Sequence, residues 1–397
     1  MHGKVRKPPF EGLEKGESLM NPLRKLSELG QSIWLDFIRR DLMTSGKLEK
    51  LVREDSLRGM TSNPKIFDEA ISESDHYMEP IRRLAEKGCS TEEAYERLTV
   101  QDVQMAADVF RSVYDETKGH DGYVSYEVSP HLAHDTEGTV DEARRLWKTL
   151  DRPNIFIKVP ATLEGLPAIR RLISEGINVN VTLLFGLPRY RKVADAYLSG
   201  LEDRLKKGGS VTNVASVASF FLSRIDVLVD PMLEKIMKEG GSHAPLAKEF
   251  RGETAIASAK LAYQIYKQIY GDKRFGKLSD RGARPQRLLW ASTSTKNPDY
   301  SDVKYVEPLI GPNTVNTVPM NTLDAYRDHG NPKVRLEDEV QKARRAFDVL
   351  PKLEIDIDEV TQQLEDEGVE KFNKPYDDLM KTLRKELGKA GTVASGI

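Results

Sequence analysis

An α/β fold, a (β/α)8 TIM barrel with additional helices and a C-terminal helical extension, is predicted by three features of this 397-residue chain. Eight short apolar or β-branched runs alternate with longer amphipathic stretches, the pattern of parallel strands joined by helices. The phosphate-cradling patterns GxGxxG and GxxxxGKS/T do not occur, which weakens an open nucleotide-binding sheet. Such a barrel takes roughly 250 residues, so this length leaves room for decoration.

The eight runs are Ser32–Phe37, Leu57–Asn63, Tyr123–Val128, Asn154–Pro160, Ile177–Leu184, Ser210–Phe220, Arg287–Ser292 and Thr314–Val318. Between them, Thr139-Val-Asp-Glu142 reads as a capping box opening one helix. Ser90-Thr-Glu-Glu93 opens a longer stretch toward Tyr114. The segment from Pro64 to Gly119 holds two or three helices, more than one crossover needs, and reads as an insertion. Phe221 to Gly271 has apolar positions at helical spacing and reads as the barrel's outer coat. Residues 1–20 mix Gly, Pro and both charge signs without apolar periodicity and are expected to form a flexible arm. Residues 21–330 form the catalytic barrel on this reading. Residues 331–397, helical from Pro332 onward, form an extension that packs on it.

Lys+Arg 60 against Asp+Glu 62 leave a net charge of −2, so nothing draws the whole chain to nucleic acid or an anionic membrane. Cys89, the single cysteine, has no internal disulfide partner. No apolar run is long enough to span a bilayer, and a reducing cytoplasm is expected. His131, His134 and Asp135 have the local spacing of a metal pair, but no third cluster accompanies them, so no metal is expected.

Lys158 is the most informative residue, because it interrupts the apolar run Asn154-Ile-Phe-Ile-Lys-Val-Pro160. Barrel strands are covered on both faces, and desolvation there favours the neutral amine that attacks a carbonyl. A lysine that snorkels to solvent or pairs with a carboxylate is the equally simple alternative. Other strands carry polar groups in equivalent positions. Asp36 ends the first run and Glu127 the third, as acid/base candidates; Asn178, Asn180 and Thr182 share one face of the fifth. In Ser219-Phe-Phe-Leu-Ser-Arg224, an arginine and a hydroxyl where a strand passes into a helix suit an anion such as phosphate, with Lys296 within reach. The competing reading has Arg224 neutralise Asp226.

Six motifs in this order, Thr61-Ser-Asn-Pro64, Ser125-Tyr-Glu127-Val-Ser-Pro130, Ile157-Lys-Val-Pro-Ala-Thr162, Asn180-Val-Thr-Leu-Leu-Phe185, Ser219–Arg224 and Trp290-Ala-Ser-Thr293, resemble the transaldolase family in its longer bacterial form over residues 21–375. The resemblance implies a class I aldolase barrel, without metal or organic cofactor. Such an enzyme moves a dihydroxyacetone unit from fructose 6-phosphate or sedoheptulose 7-phosphate to glyceraldehyde 3-phosphate or erythrose 4-phosphate in the pentose phosphate pathway. It further implies that Lys158 forms the Schiff base, Asp36 takes the C4 hydroxyl proton, and Glu127 and Thr182 hold a proton-shuttling water. Asn63 and Asn180 would hold the dihydroxyacetone hydroxyls, while Ser219, Arg224 and Lys296 would bind phosphate. A homodimer is the family's expected assembly. Phe220 stands where shorter members commonly carry Pro, and Ser292-Thr-Ser-Thr-Lys296 where they carry Ser-Phe-Arg. A stand-alone aldolase releasing free dihydroxyacetone and a catalytically inactive binding barrel are the two rival readings.

Overall fold

The computed structural model describes residues 21–394, so the arm expected over 1–20 lies outside the described residues. Eight parallel strands close into a barrel in sequence order. They are β1 Gln31–Asp36, β2 Gly59–Thr61, β3 Tyr123–Glu127, β4 Ile155–Pro160, β5 Val179–Leu184, β6 Ser216–Phe221, β7 Arg287–Ala291 and β8 Thr314–Val318, with β8 pairing back on β1. Every strand is buried along almost its whole length, because helices cover the outer face and side chains fill the interior.

The N-terminal end of the barrel is plugged by an aromatic and ionic cluster. Trp34 stacks on Phe156 at 6.0 Å and Phe156 on Tyr123 at 4.2 Å. Arg287 pairs with Asp121 at 2.9 Å, and Asp121 also accepts from Ser32 Oγ and Trp34 Nε1. Gly59 opens β2 because any Cβ there would lie 2.6 Å from the Trp34 ring. Chemistry is thereby left to the opposite, C-terminal mouth.

Several expected boundaries move. The sixth strand starts at Ser216 rather than Ser210, since Ser210 Oγ accepts from Thr212 N and meets Thr212 Oγ1 at 2.6 Å, a local turn that competes with the ladder. The helix expected to be capped at Thr139 runs Thr136–Leu150. Asp135 caps it by accepting from Gly138 N, while the Thr139 hydroxyl donates to Leu132 O and Glu142 accepts from Ser129 N. The Ser90–Glu93 capping box forms and opens helix Thr91–Val109. The insertion after β2 holds four α-helices, Pro64–Ser72, Met78–Glu86, Thr91–Val109 and Arg111–Glu116. Beyond Pro332, helix begins only at Val340. The backbone N–H groups of Arg335 and Leu336 both donate to Ile310 O, and buried Leu336 packs beside Gly311.

The last helix, Ile357–Ala394, crosses the C-terminal mouth. It packs on helices Pro64–Ser72, Met78–Glu86, Thr91–Val109 and Ser223–Glu239 and reaches β5. Among the described residues no helix is long and apolar enough to cross a membrane.

Candidate active site

The strand register brings the candidate residues to one end of the barrel. Glu127 lies opposite Lys158, Lys158 opposite Asn180, Pro160 opposite Thr182, and Asp36 opposite Thr61. A cavity of about 290 Å³ opens there, lined by Asp36, Asn63, Lys158, Thr182, Ser219, Arg224 and Lys296 among others. Glu127 and Asn180 contact lining residues, Glu127 at 3.4 Å from Lys158 Nζ and Asn180 through its bond with Ser219.

Lys158 is 4% exposed. Its Nζ donates to Ser62 O at 3.0 Å and lies 3.4 Å from Glu127 Oε2. The snorkelling alternative therefore does not apply, whereas carboxylate pairing is present within the site. Burial pushes the Glu127 carboxyl above the usual range, opposed by the Lys158 charge. Burial also raises Asp36, opposed by the bond from Thr61 Oγ1 to its Oδ1 at 2.7 Å. Thr61 Oγ1 meets Thr317 Oγ1 at 2.8 Å, so the β1 carboxylate is fixed from β2 and β8. A buried carboxylate whose affinity for a proton is raised suits proton exchange with a sugar hydroxyl.

Asn180 is held at both ends, donating to Ser125 Oγ at 3.0 Å and accepting from Ser219 Oγ at 2.6 Å. Ser219 lies within β6, as its place in the sixth run implies, and its hydroxyl donates to Asn180. Asn63 caps helix Pro64–Ser72 by accepting from Ile66 N, which directs its amide toward the cavity wall. Among the described residues, Thr182 Oγ1 has no hydrogen-bond partner, and Glu127 Oε2 has only the Lys158 amine at 3.4 Å. A register shift between Val181 and Leu184, with Leu183 at φ 55°, ends the regular alternation of β5 just past Thr182.

Arg224 sits in the first turn of helix Ser223–Glu239. Its Nη1 is buried without a partner among the described residues, and its guanidinium lies over the rings of Phe221 at 5.4 Å and Phe372 at 5.9 Å. Burial pulls its pKa down. Asp226 is engaged elsewhere, accepting from Ala255 N and Tyr305 Oη, so the alternative pairing with Arg224 is not formed. Lys296 Nζ donates to Ser294 Oγ at 2.6 Å; burial and the charges of Lys65 and Arg224 lower its pKa. Three cations, Lys65, Arg224 and Lys296, thus line a cavity that holds Lys158 on its floor. A dianion would relieve their mutual repulsion.

Sequence reasoning missed Phe372, whose ring lies 5.8 Å from Lys158 Nζ. It also missed Thr61, Ser62, Ser125 and Thr317, which orient the reactive groups. Thr61 and Ser62 were within reach, since they precede Asn63 in the same motif. His131 and His134 do not converge: His131 meets Asp377 at 2.8 Å and His134 meets Glu164 at 3.2 Å.

Comparison of the sequence with known proteins finds relatives along most of its length. The family model described as Transaldolase/Fructose-6-phosphate aldolase matches residues 33–383. A protein of Saccharopolyspora erythraea named Transaldolase is 48% identical over 369 residues, covering 93% of this chain and 98% of that protein. Proteins named Transaldolase from Trichodesmium erythraeum and Thermobifida fusca are each 47% identical, over 93% and 92% of this chain and 98% of each relative.

Proposed function

The chain belongs to the transaldolase/fructose-6-phosphate aldolase family, and on that premise we propose how its residues carry out the transfer of a dihydroxyacetone unit between sugar phosphates. The observation that carries this reading is the buried Lys158 amine, 3.4 Å from Glu127, on the floor of a cavity shared with Asp36 and Arg224.

In this mechanism Lys158 passes a proton to Glu127 and attacks C2 of the ketose phosphate. Burial keeps the Glu127 carboxyl ready to receive that proton. Glu127 and Thr182, whose Oγ1 has no hydrogen-bond partner among the described residues, guide the water that leaves as the carbinolamine becomes the iminium. Asp36 takes the C4 hydroxyl proton, the C3–C4 bond breaks, and its electron pair moves into the C2–C3 bond to give an enamine. The aldose phosphate departs while the three-carbon fragment stays covalently on Lys158. A second aldose phosphate enters against Arg224, Lys296 and Lys65, and the steps reverse. Asn63 and Asn180 hold the hydroxyls of the retained fragment; Ser219 fixes Asn180 and borders the phosphate.

Sugar phosphates are the small-molecule partners in this reading. The reaction belongs in the cytoplasm, supported by the single, half-buried Cys89. A homodimer is proposed as the assembly, to be tested by light scattering. For the activity itself, fructose 6-phosphate is mixed with erythrose 4-phosphate. Stoichiometric sedoheptulose 7-phosphate and glyceraldehyde 3-phosphate are expected. Free dihydroxyacetone without sedoheptulose 7-phosphate would favour the stand-alone aldolase, and no turnover the inactive barrel.

A further inference from the structure

Phe372 lies outside the barrel, on the last helix, yet reaches its chemistry. Its ring centre is 5.8 Å from Lys158 Nζ and 5.9 Å from the Arg224 guanidinium carbon, and the residue is 5% exposed. The helix is pinned in place on both sides of it. One turn earlier, Gly368 packs so close to β5 that a Cβ there would lie 3.0 Å from Leu183 Cδ2. Glu365 pairs with Arg189 at 2.9 Å, with both side chains largely buried. One turn later, Tyr376 stands edge-on to Tyr95 at 5.4 Å, and Asp377 meets His131. The ring is therefore held across the mouth by packing on either side rather than carried on a loose flap.

We propose that Phe372 is a specificity-determining residue that sets the fate of the covalent intermediate, by occupying the space between Lys158 and Arg224 through which water would reach the fragment. The inference rests on the Schiff-base reading above. Two fates compete for the enamine. In transfer, its C3 forms a bond to the acceptor aldehyde, the new hydroxyl takes the proton held by Asp36, and hydrolysis then releases the full-length ketose phosphate. In premature hydrolysis, C3 takes that proton instead, water adds to C2 of the resulting iminium, and the C2–N bond breaks with its electron pair returning to Lys158. Free dihydroxyacetone leaves. Between donor departure and acceptor arrival the phosphate end of the cavity is open, and an apolar ring beside the nucleophile disfavours water there. The ring also lies 5.9 Å from the guanidinium carbon and helps hold it in line for phosphate.

The test compares wild type, Phe372→Ala, Phe372→Leu and Val369→Ala. Val369 is buried on the same helix but does not line the cavity. Each is incubated with fructose 6-phosphate and erythrose 4-phosphate, and free dihydroxyacetone and sedoheptulose 7-phosphate are quantified; circular dichroism checks folding. Phe372→Ala should raise the ratio of free dihydroxyacetone to sedoheptulose 7-phosphate by about tenfold or more. It should also raise KM for fructose 6-phosphate by about 3- to 10-fold through the loosened arginine. Phe372→Leu, retaining part of the apolar volume, should fall between wild type and Ala and carries the test alone if the Ala variant does not fold. Val369→Ala should keep the wild-type ratio. An unchanged ratio in a folded Phe372 variant that still transfers would overturn the inference, as would an equal rise in Val369→Ala, which would trace the effect to helix docking. Wild type that neither transfers nor forms an adduct on Lys158 would overturn the Schiff-base reading and the inference with it.

Discussion

Replacing Arg224 by Ala separates phosphate recognition from the chemical step. The guanidinium stands in the first turn of its helix with Nη1 buried and unpartnered among the described residues, flanked by the rings of Phe221 and Phe372. Hydrogen bonds to a charged group contribute about 1.5–3 kcal/mol each. Two such bonds to a phosphate, partly compensated by Lys65 and Lys296 at the same end, place the loss at about 3–4 kcal/mol, a fall of about 10²–10³ in kcat/KM. That fall should appear mainly as a raised KM for fructose 6-phosphate, with little change for unphosphorylated fructose. The substitution also removes a buried cation that makes no ion pair of 4 Å or less among the described residues, so the thermal midpoint should not drop. Steady-state assays on the two donors, with a melting curve for each protein, provide the readout. An equal loss on fructose and fructose 6-phosphate would refute the phosphate assignment, and a fall of several degrees in midpoint would refute the claim that the arginine is structurally dispensable.

Two further predictions follow from the buried carboxylates. Asp36→Ala should slow C3–C4 cleavage by about 10²–10⁴-fold while the imine still forms, whereas Glu127→Gln should slow imine formation itself. Rapid-quench trapping that found both variants accumulating the same adduct at the same rate would contradict this division. Asp226, buried and accepting from Ala255 N and Tyr305 Oη, has its carboxyl pushed from 3.8 up to about 7, chiefly by burial. The folded state therefore holds that proton more tightly than the unfolded one. Its contribution is full below about 4 and is lost as pH rises toward about 7, amounting to at most about 4 kcal/mol. Asp226→Asn should gain on wild type as pH rises from 5 to 8, measured by urea unfolding; a constant difference across that range would contradict it.

The barrel was legible because its strands announce themselves locally. Ile155–Pro160 and Val179–Leu184 are β-branched or apolar runs bounded by turn residues, and they became strands at almost those limits. What failed was local competition. Ser210 and Thr212 satisfy their own backbone in a turn, which no count of apolar residues reveals. The helix at Thr136 begins four residues after Leu132, at an aspartate cap whose claim on Gly138 N outranks the later Thr-Val-Asp-Glu pattern. Lys158 could be singled out because a charge inside an apolar strand is costly without a purpose. Ser219 was legible as a polar residue of the site, but its bond to Asn180 was not, since only the three-dimensional register brings the two hydrogen-bonding groups together. Phe372 was beyond reach altogether. The helical period marks it as an inward-facing position, but nothing local in a charged C-terminal helix says that inward means toward a lysine 214 positions earlier.

The central claim is that Lys158 carries the substrate covalently, and borohydride trapping with fructose 6-phosphate followed by peptide mass mapping tests it most directly. A reduced dihydroxyacetone or hexose phosphate adduct on Lys158 is the predicted result, absent from Lys158→Met, which should be folded and inactive. An adduct on another lysine, no adduct in active protein, or undiminished turnover by Lys158→Met would contradict the account.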